Sequence, residues 1–478
     1  LPDLALAPSS AKGVTRSPGT VVAVLSSCGI VAALMQTLVV PLIPELPRLL
    51  DVSASSASWV LTATLLSGAV CTPIAGRLGD VYGKRRIVLI SLSLLVVGAT
   101  LSALTSELAP MVAGRALQGA AMGAIPLGIS IMRDILPPER LGSAMALLSA
   151  TLGAGGAIGL PLSAFLAQRA DWHLLFWLAA VLGAISALLI RLMVPDSSIR
   201  SPARFDLPGT LGLVTGLSCF LLAVSKGGDW GWGSPTTIGL LVAAAVVLAG
   251  WTVLELRTRE PLVDLRVSSR RQVLVTNVTT VAVGFAMYAQ SLVLPQFLLA
   301  PQQSGYGLGQ SLTAAGLCLM PGGLVIVVVS PLTARLSTLW GPRVPLLLGT
   351  LVVAAGYGAG ALFMHTLTHL VLVSTVIAVG VALAYAAMPA LIMQAVPVTE
   401  TGAANGLNAL MRSLGTSLAS AATTALLAQT AMTLGGTPLP SERGLRIALV
   451  VAAGVALAGA ALTTLMARPV PAAAASQR

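Results

Sequence analysis

Charge is what this chain has least of. Asp, Glu, Lys and Arg together supply 9% of its 478 residues, where a water-soluble domain carries about a quarter. That is too little polar side chain to wrap a core in water, which excludes an ordinary soluble enzyme. Aromatic residues are also few, at 4%. The four cysteines, Cys28, Cys71, Cys219 and Cys318, stand singly inside apolar runs, without paired spacing or histidine neighbours. Neither a zinc site nor a disulfide framework is built that way. The three histidines, His173, His365 and His369, fall at or near the ends of apolar runs and form no cluster. There is no glycine-rich phosphate loop and no polar stretch long enough for a catalytic domain. No enzymatic activity, metal or cofactor is therefore expected. The first twenty residues are polar and rich in proline and serine, so no cleavable leader is expected either.

What fills the chain is Ala, Leu, Val and 48 glycines, with 56% hydrophobic residues and a mean hydropathy of +0.92. A membrane span takes about 20 mostly apolar residues. Runs of that kind cover 21–43, 59–75, 87–106, 109–132, 141–167, 172–194, 207–224, 235–256, 273–299, 311–332, 344–363, 370–396, 403–427 and 445–466. The expected fold is thus an all-α polytopic membrane protein of fourteen spans, with the fifth and thirteenth the least apolar. The net charge of +11 does not point to nucleic acid, because the basic residues sit in short connections and form no continuous face. Their distribution instead sets orientation. With the N-terminus inside, 20 of the 27 Lys and Arg fall on the cytoplasmic side and 5 on the other (Arg48, Arg169, Lys226, Arg443 and Arg446). That bias places both termini in the cytoplasm. Arg115 and Arg412 lie within spans.

The chain also repeats itself. Pro73, Arg77, Leu78, Gly83 and Arg85 recur as Pro331, Arg335, Leu336, Gly341 and Arg343, always at the same offset, and Thr338 stands where Asp80 stood. A weaker echo joins Leu152-Gly153 to Leu414-Gly415. Each strong copy follows the second span of a set of six. The pattern predicts two pseudo-symmetric six-helix bundles, 21–195 and 272–467, with two extra central helices in a linker over 196–271. Residues 1–20 and 468–478 are the tails.

The segment Gly76-Arg77-Leu78-Gly79-Asp80-Val81-Tyr82-Gly83-Lys84-Arg85-Arg86 resembles the signature loop between the second and third helices of the major facilitator superfamily. In that family the loop latches the two halves together on the cytoplasmic side. The resemblance implies that Asp80 faces the start of a helix in the second half, that Lys84 or Arg85 pairs near Asp134, and that Gly76 and Gly83 permit the close approach. Arg115-Ala116-Leu117-Gln118-Gly119 is similar to the family's arginine motif of the fourth helix. An arginine within a span costs at least ~2.5 kcal/mol, so Arg115 either faces a polar interior or snorkels to the near surface; Gln118 lies one turn deeper on nearly the same face.

Gly153, Gly155, Gly156, Gly159 and Pro161 partly match the glycine-rich motif that exporters of the family carry in the fifth helix. The usual glycine-proline pair is Gly155-Gly156 here. The central helix pair and the run Asn405 to Gly415 resemble the fourteen-helix drug:proton antiporter branch. Asn405, Asn408 and Arg412 share one helix face, suited either to a substrate or gate or to interhelical hydrogen bonding. One departure stands out. That branch commonly has an aspartate in the first helix before a proline, and here the stretch holds Gln36 and Pro41 with no acid. Glu107, Asp134, Glu139 and Glu255 all stand at span ends, so none lies at mid-membrane depth.

These features together imply a monomeric alternating-access secondary transporter in a bacterial inner membrane, exporting amphipathic small molecules such as antibiotics. Import or facilitated passage of a metabolite, or lipid translocation on the same fold, stays open. Gln36, Arg115, Gln118, Tyr288, Gln290, Gln394, Asn405, Asn408 and Arg412, polar groups in apolar helices, are the candidate substrate or coupling residues. Protons are a possible partner, through a peripheral acid such as Asp134 or Glu139, and the bilayer is a certain one.

Overall fold

The computed structural model describes residues 18–39, 42, 45–169, 171–197, 199–201, 205–434 and 437–466. The tails expected at 1–20 and 468–478 lie almost wholly outside them. Long helices dominate. The first half comprises α1 (Pro18–Thr37), α2 (Trp59–Tyr82), α3 (Lys84–Ala103), α4 (Leu108–Ala120), α5 (Ala124–Ile135), α6 (Pro138–Arg169) and α7 (His173–Met193). The extra pair is α8 (Leu207–Trp230) and α9 (Pro235–Arg257). The second half comprises α10 (Arg271–Leu299), α11 (Leu312–Trp340), α12 (Arg343–Phe363), α13 (Leu367–Ala395), α14 (Thr401–Gln429) and α15 (Glu442–Thr464). A small antiparallel hairpin, Ala431–Leu434 with Thr437–Pro440, joins α14 to α15.

Among the described residues, eleven helices are long and apolar enough to cross a membrane. Three other expected spans are not among them. The described apolar part of α1 is Gly19–Met35, and the side chains that follow it in the helix lie outside the described residues. The fourth span is split into α4 and α5 by a 3-10 turn at Ala121–Gly123. Pro126 explains the break: it has no N–H to donate and its ring crowds the carbonyl four residues back, at Met122. α14 carries Asn405, Asn408 and Arg412, which lower its hydropathy.

Each half packs through its own apolar seams. In the second, Val293, Leu294, Phe297 and Leu298 of α10 meet Val353 and Tyr357 of α12, Ile377 of α13 and Leu449 of α15. In the first, Met111, Leu175, Phe176 and Ala179 close around Leu34 and Leu95. The halves meet along two seams, α2 against α14 and α6 against α11. These join the second helix of one half to the fifth of the other, and the reverse, as the internal repeat requires. The extra pair sits outside this frame. α8 packs on α9 and also on α2 and α14, whereas only 11% of the most apolar window of α9 is buried against protein.

One sequence expectation changes here. Gly76 to Tyr82 form no loop; they are the last turns of α2, and the connection to α3 is Gly83 alone. Gly83 takes φ 105° and its N–H caps the Gly79 carbonyl. Only a residue without Cβ adopts that backbone at no steric cost, so one glycine reverses the chain where a loop was expected.

Candidate functional site

The end of α2 makes the seam with α14 polar. Asp80 is 1% exposed. Its Oδ1 accepts from the Gly402 N–H at 3.0 Å and its Oδ2 from the Ala403 N–H at 2.8 Å. Those amides belong to the first turn of α14, where backbone donors have no partner within the helix and the helix dipole favours an anion. One carboxylate of the first half therefore completes a helix of the second. The crossing is close enough to need glycine on both sides. A Cβ added at Gly76 would sit 2.2 Å from the Gly402 oxygen, and one at Gly402 would sit 2.5 Å from the Gly76 oxygen.

Lys84 begins α3 and is likewise 1% exposed. Its Nζ donates to Asp134 Oδ1 at 3.0 Å and Oδ2 at 2.7 Å, and to Thr401 Oγ1 at 3.1 Å. Asp80 Oδ1 is 3.9 Å away. A buried cation between two carboxylates, each otherwise satisfied by hydrogen bonds, is the arrangement in which burial of charge is tolerated. Ser197 Oγ donates to Asp134 Oδ2 at 2.6 Å, and the Ser201 N–H donates to the Asp80 carbonyl at 2.7 Å. The chain leading to the extra helices is thus sewn to the same cluster. Arg133 Nη2 reaches the Val396 carbonyl at 3.4 Å, again across the halves and at the same end of the bundle. Arg85 takes no part with Asp134. It turns outward, with Nη1 3.5 Å from Asp196 Oδ2 and Nη2 on the Arg191 carbonyl. Of the two alternatives for a partner to Asp134, the fold brings in Lys84.

Beside the clasp lies a cavity of about 140 Å³, lined among others by Arg77, Leu262, Val263, Asp264 and Glu400. Glu400 stands in the connection before α14. Burial, then the nearby Asp264 carboxylate, push its carboxyl above the usual range, while Arg77 and Arg270 pull the other way.

The remaining candidates scatter. Arg115 is 2% exposed; its Nη1 donates to Gln118 Oε1 at 2.7 Å and its Nε to the Val60 carbonyl at 3.4 Å. Gln118 passes the network to Ser102 Oγ at 3.2 Å. Arg115 therefore does not snorkel; it bridges α4 to α2 within one half. Asn408 Nδ2 donates to Asn277 Oδ1 at 2.9 Å and Thr280 Oγ1 at 2.8 Å, both on α10. Asn405 returns to its own helix, at the Thr401 carbonyl. Gln290 donates to Ser374 Oγ at 3.0 Å, and Tyr288 faces Ser420 of α14. Arg412 is half-buried, with its guanidinium carbon 4.8 Å from the centre of the Tyr385 ring. Gln394 is exposed near the end of α13. The side chain of Gln36 lies outside the described residues, as does that of Glu139. In the glycine motif, a Cβ at Gly153 would meet Ile326 of α11 at 2.6 Å and one at Gly155 the Ile30 carbonyl of α1 at 2.6 Å, while Gly156 faces open space. Gly159 is buried, and Pro161 lies inside α6, half-buried.

Sequence reasoning missed Asn277, Thr280, Tyr385 and Lys226. The first three are mildly polar residues of helical runs, and nothing local marks them. Lys226 looked like an ordinary outer-loop cation. It is 1% exposed, donates to the Ser55 carbonyl at 2.9 Å and to Asp229 Oδ2 at 3.1 Å, and lies 5.0 Å from the Trp59 ring centre. It ties α8 to the start of α2.

Comparison with known proteins gives this geometry a family. A profile described as Major Facilitator Superfamily matches residues 25–420. Over 389 residues the chain is 30% identical to the multidrug resistance protein Stp of Mycobacterium tuberculosis, covering 81% of this chain and 71% of that one. It is 28% identical to the tetracenomycin C resistance and export protein of Streptomyces glaucescens, over 73% of this chain and 64% of the relative. The lincomycin resistance protein LmrB of Listeria monocytogenes is 24% identical over 70% of each. Among solved structures, the human organic anion transporter MFSD10 superposes with a TM-score of 0.69 at 16% identity, over 94% of this chain and all of that one. The proton:xylose symporter XylE does so at 0.64 and 14%, over 93% and 94%. These two establish the fold. With its two packed helical halves, membrane-crossing helices and polar seam at the family's signature segment, this chain is a membrane transporter protein that belongs to the Major Facilitator Superfamily.

Proposed function

We propose that the chain exports amphipathic small molecules, drugs or antibiotics among them, by alternating access in a bacterial inner membrane. In this reading it acts as a monomer of fourteen spans, with both termini and the clasp on the cytoplasmic side. The observation that carries the reading is Asp80 seated on the Gly402 and Ala403 amides. A charged contact that closes one end of the seam between the halves is what an alternating gate needs, since it forms in one state and parts in the other. Support for export comes from relatives named for multidrug, tetracenomycin and lincomycin resistance. Further support lies in the close packing at Gly153 and Gly155.

Gly76, Asp80, Gly83, Lys84 and Asp134 act as the latch, with Arg85 steadying α3 from outside it. Arg412 is the best candidate to meet cargo. It is a half-buried cation within α14, the helix that carries the clasp, and it has an aromatic neighbour. Asn408, Gln290, Arg115 and Gln118 serve as interhelical bonds that keep each half rigid while it rocks.

Uptake of amphipathic drugs into inside-out vesicles tests the proposal. Expression of the chain should give energised uptake that Asp80→Asn reduces several-fold. Movement only in the opposite sense, or equilibration without energy, would make the chain an importer or a facilitator.

A further inference from the structure

Two carboxyl groups that the latch does not use meet in the extra helix pair. Asp206 caps α8: its Oδ1 accepts from the Gly209 N–H at 2.9 Å, and its carbonyl accepts from Thr210 Oγ1 at 2.6 Å. Glu255 lies near the end of α9, 2% exposed, with its Oε2 accepting from the Val263 N–H at 3.4 Å. The second oxygen of each group, Asp206 Oδ2 and Glu255 Oε1, is buried without a hydrogen-bond partner. Gly209 gauges their separation. Its absent Cβ would stand 2.2 Å from Oδ2 and 2.4 Å from Oε1, so the two oxygens lie within about 4.6 Å of each other, the sum of those distances. The indole Nε1 of Trp251, one turn before Glu255, is buried as well and is directed at the Glu255 carboxyl.

Among the described residues, three elements surround Glu255. α8 offers Asp206, α9 the Trp251 indole, and the linker the N–H groups of Leu262 and Val263. Among the described residues, no Lys or Arg forms an ion pair with either carboxyl. Two buried, unpartnered carboxyl oxygens at this distance cannot both carry charge cheaply. A bound metal cation would require several oxygen ligands. This corner has two free oxygens, and the groups around them are N–H donors. A proton answers the geometry: it makes one oxygen a donor and the other its acceptor.

We propose that Asp206 and Glu255 bind one proton between them, a buried proton site in the extra helix pair. The proton fastens the start of α8 to the end of α9. Through the Val263 N–H it also holds the linker that lines the cavity beside Arg77 and Glu400. Losing it to solvent as pH rises leaves two like charges in contact and loosens the linker over the latch.

The test is infrared spectroscopy of the full chain in detergent at neutral pH, in a choline buffer free of sodium and potassium. Wild type should show the carbonyl stretch of a protonated carboxylic acid, shifted by deuterium. That component should vanish in both Asp206→Asn and Glu255→Gln and persist in Glu107→Gln. Its absence from wild type, or its survival in both variants, overturns the site. Loss of the band on adding sodium or potassium identifies a metal cation as the occupant and overturns it too. Arg204 lies outside the described residues, so a band that appears only in Arg204→Gln assigns the neutralising charge to that arginine and likewise overturns the site. If a variant fails to fold, titration of wild type decides: a band lost reversibly as pH rises supports the site, and its absence at every pH refutes it. None of these readouts depends on which cargo is carried.

Discussion

Lys84 and Asp134 face each other at 2.7 Å with 1% and 2% of their side chains exposed. Lys84 also donates to Thr401, on the other half of the molecule. Lys84 and Asp134 belong to the same half, so their ion pair does not depend on the other half, whereas the bonds of Asp80 to Gly402 and Ala403 and of Lys84 to Thr401 exist only while the halves are together. In the proposed cycle those crossing bonds are exchanged for water when the halves part.

Asp80→Asn should slow transport without abolishing expression. The amide can still accept one hydrogen bond, but the anion on the α14 terminus is gone. A charged hydrogen bond is worth about 1.5–3 kcal/mol, and a loss near the lower end is expected for the clasped state. Initial transport rates and the surface level of the variant check this; a wild-type rate at equal level would remove Asp80 from the cycle.

Gly76→Ala should be at least as harmful as Asp80→Asn. The methyl would meet a backbone oxygen at 2.2 Å, which no rotamer can relieve, so α2 and α14 must separate at the clasp end. Gly156→Ala, which meets nothing within 4 Å, is the control and should transport normally. Accessibility of cysteines at the clasp end should rise in the first variant alone.

The two arginines within spans should respond differently. Arg115 is packed among Gln118, Ser102 and the Val60 carbonyl, so Arg115→Ala leaves buried partners unpaired and should lower thermal stability, by about 1–3 kcal/mol. Arg412 touches an aromatic ring and is half-buried, so Arg412→Ala should spare the melting temperature and reduce transport. Arg412→Lys should retain part of the activity, because the charge stays over the ring. Equal melting temperatures for Arg115→Ala and Arg412→Ala would contradict the assignment.

Glu400 makes the clasped state sensitive to pH. Its carboxyl is held above its ordinary value of 4.5 by burial first and by Asp264 second. The folded state therefore binds the proton more tightly than the unfolded state does. Its stabilising effect is complete below the ordinary value and is lost as pH rises through the elevated one. Stability should fall over that window in wild type, and Glu400→Gln should flatten the slope. A melting curve series in mildly acidic buffers reads this directly; an opposite slope would show that Arg77 and Arg270 dominate.

Orientation is open to labelling. In a background freed of Cys28, Cys71, Cys219 and Cys318, Thr338→Cys should react only from the cytoplasm and Gln303→Cys only from outside. Both positions are exposed. Labelling of both from one side would remove a span from between them and end the fourteen-span reading.

Much of this was readable in the chain. Apolar runs of span length, the repeat of Pro73–Arg85 at 331–343 and the Gly76–Arg86 signature are local or periodic, and they fixed the all-helical, two-half architecture and the family resemblance. Hydropathy depends only on neighbouring residues, so no partner had to be known. The partners themselves were beyond it. Asp80 and Gly402 are 322 positions apart, and nothing near Asp80 says which helix start it will cap. Lys84 rather than Arg85 takes Asp134 because the turn at Gly83 aims the first residue of α3 inward and the next one outward. Arg115 and Arg412 look alike in sequence, each an arginine in an apolar run. Only the packing of α4 against α2 buried the first, and only the position of α14 left the second beside Tyr385 and open. The sequence by itself determined where the chain must leave water, because lipid sets that condition residue by residue. The tertiary structure decided which buried polar groups satisfy which, because that depends on distances that exist only once the helices have packed.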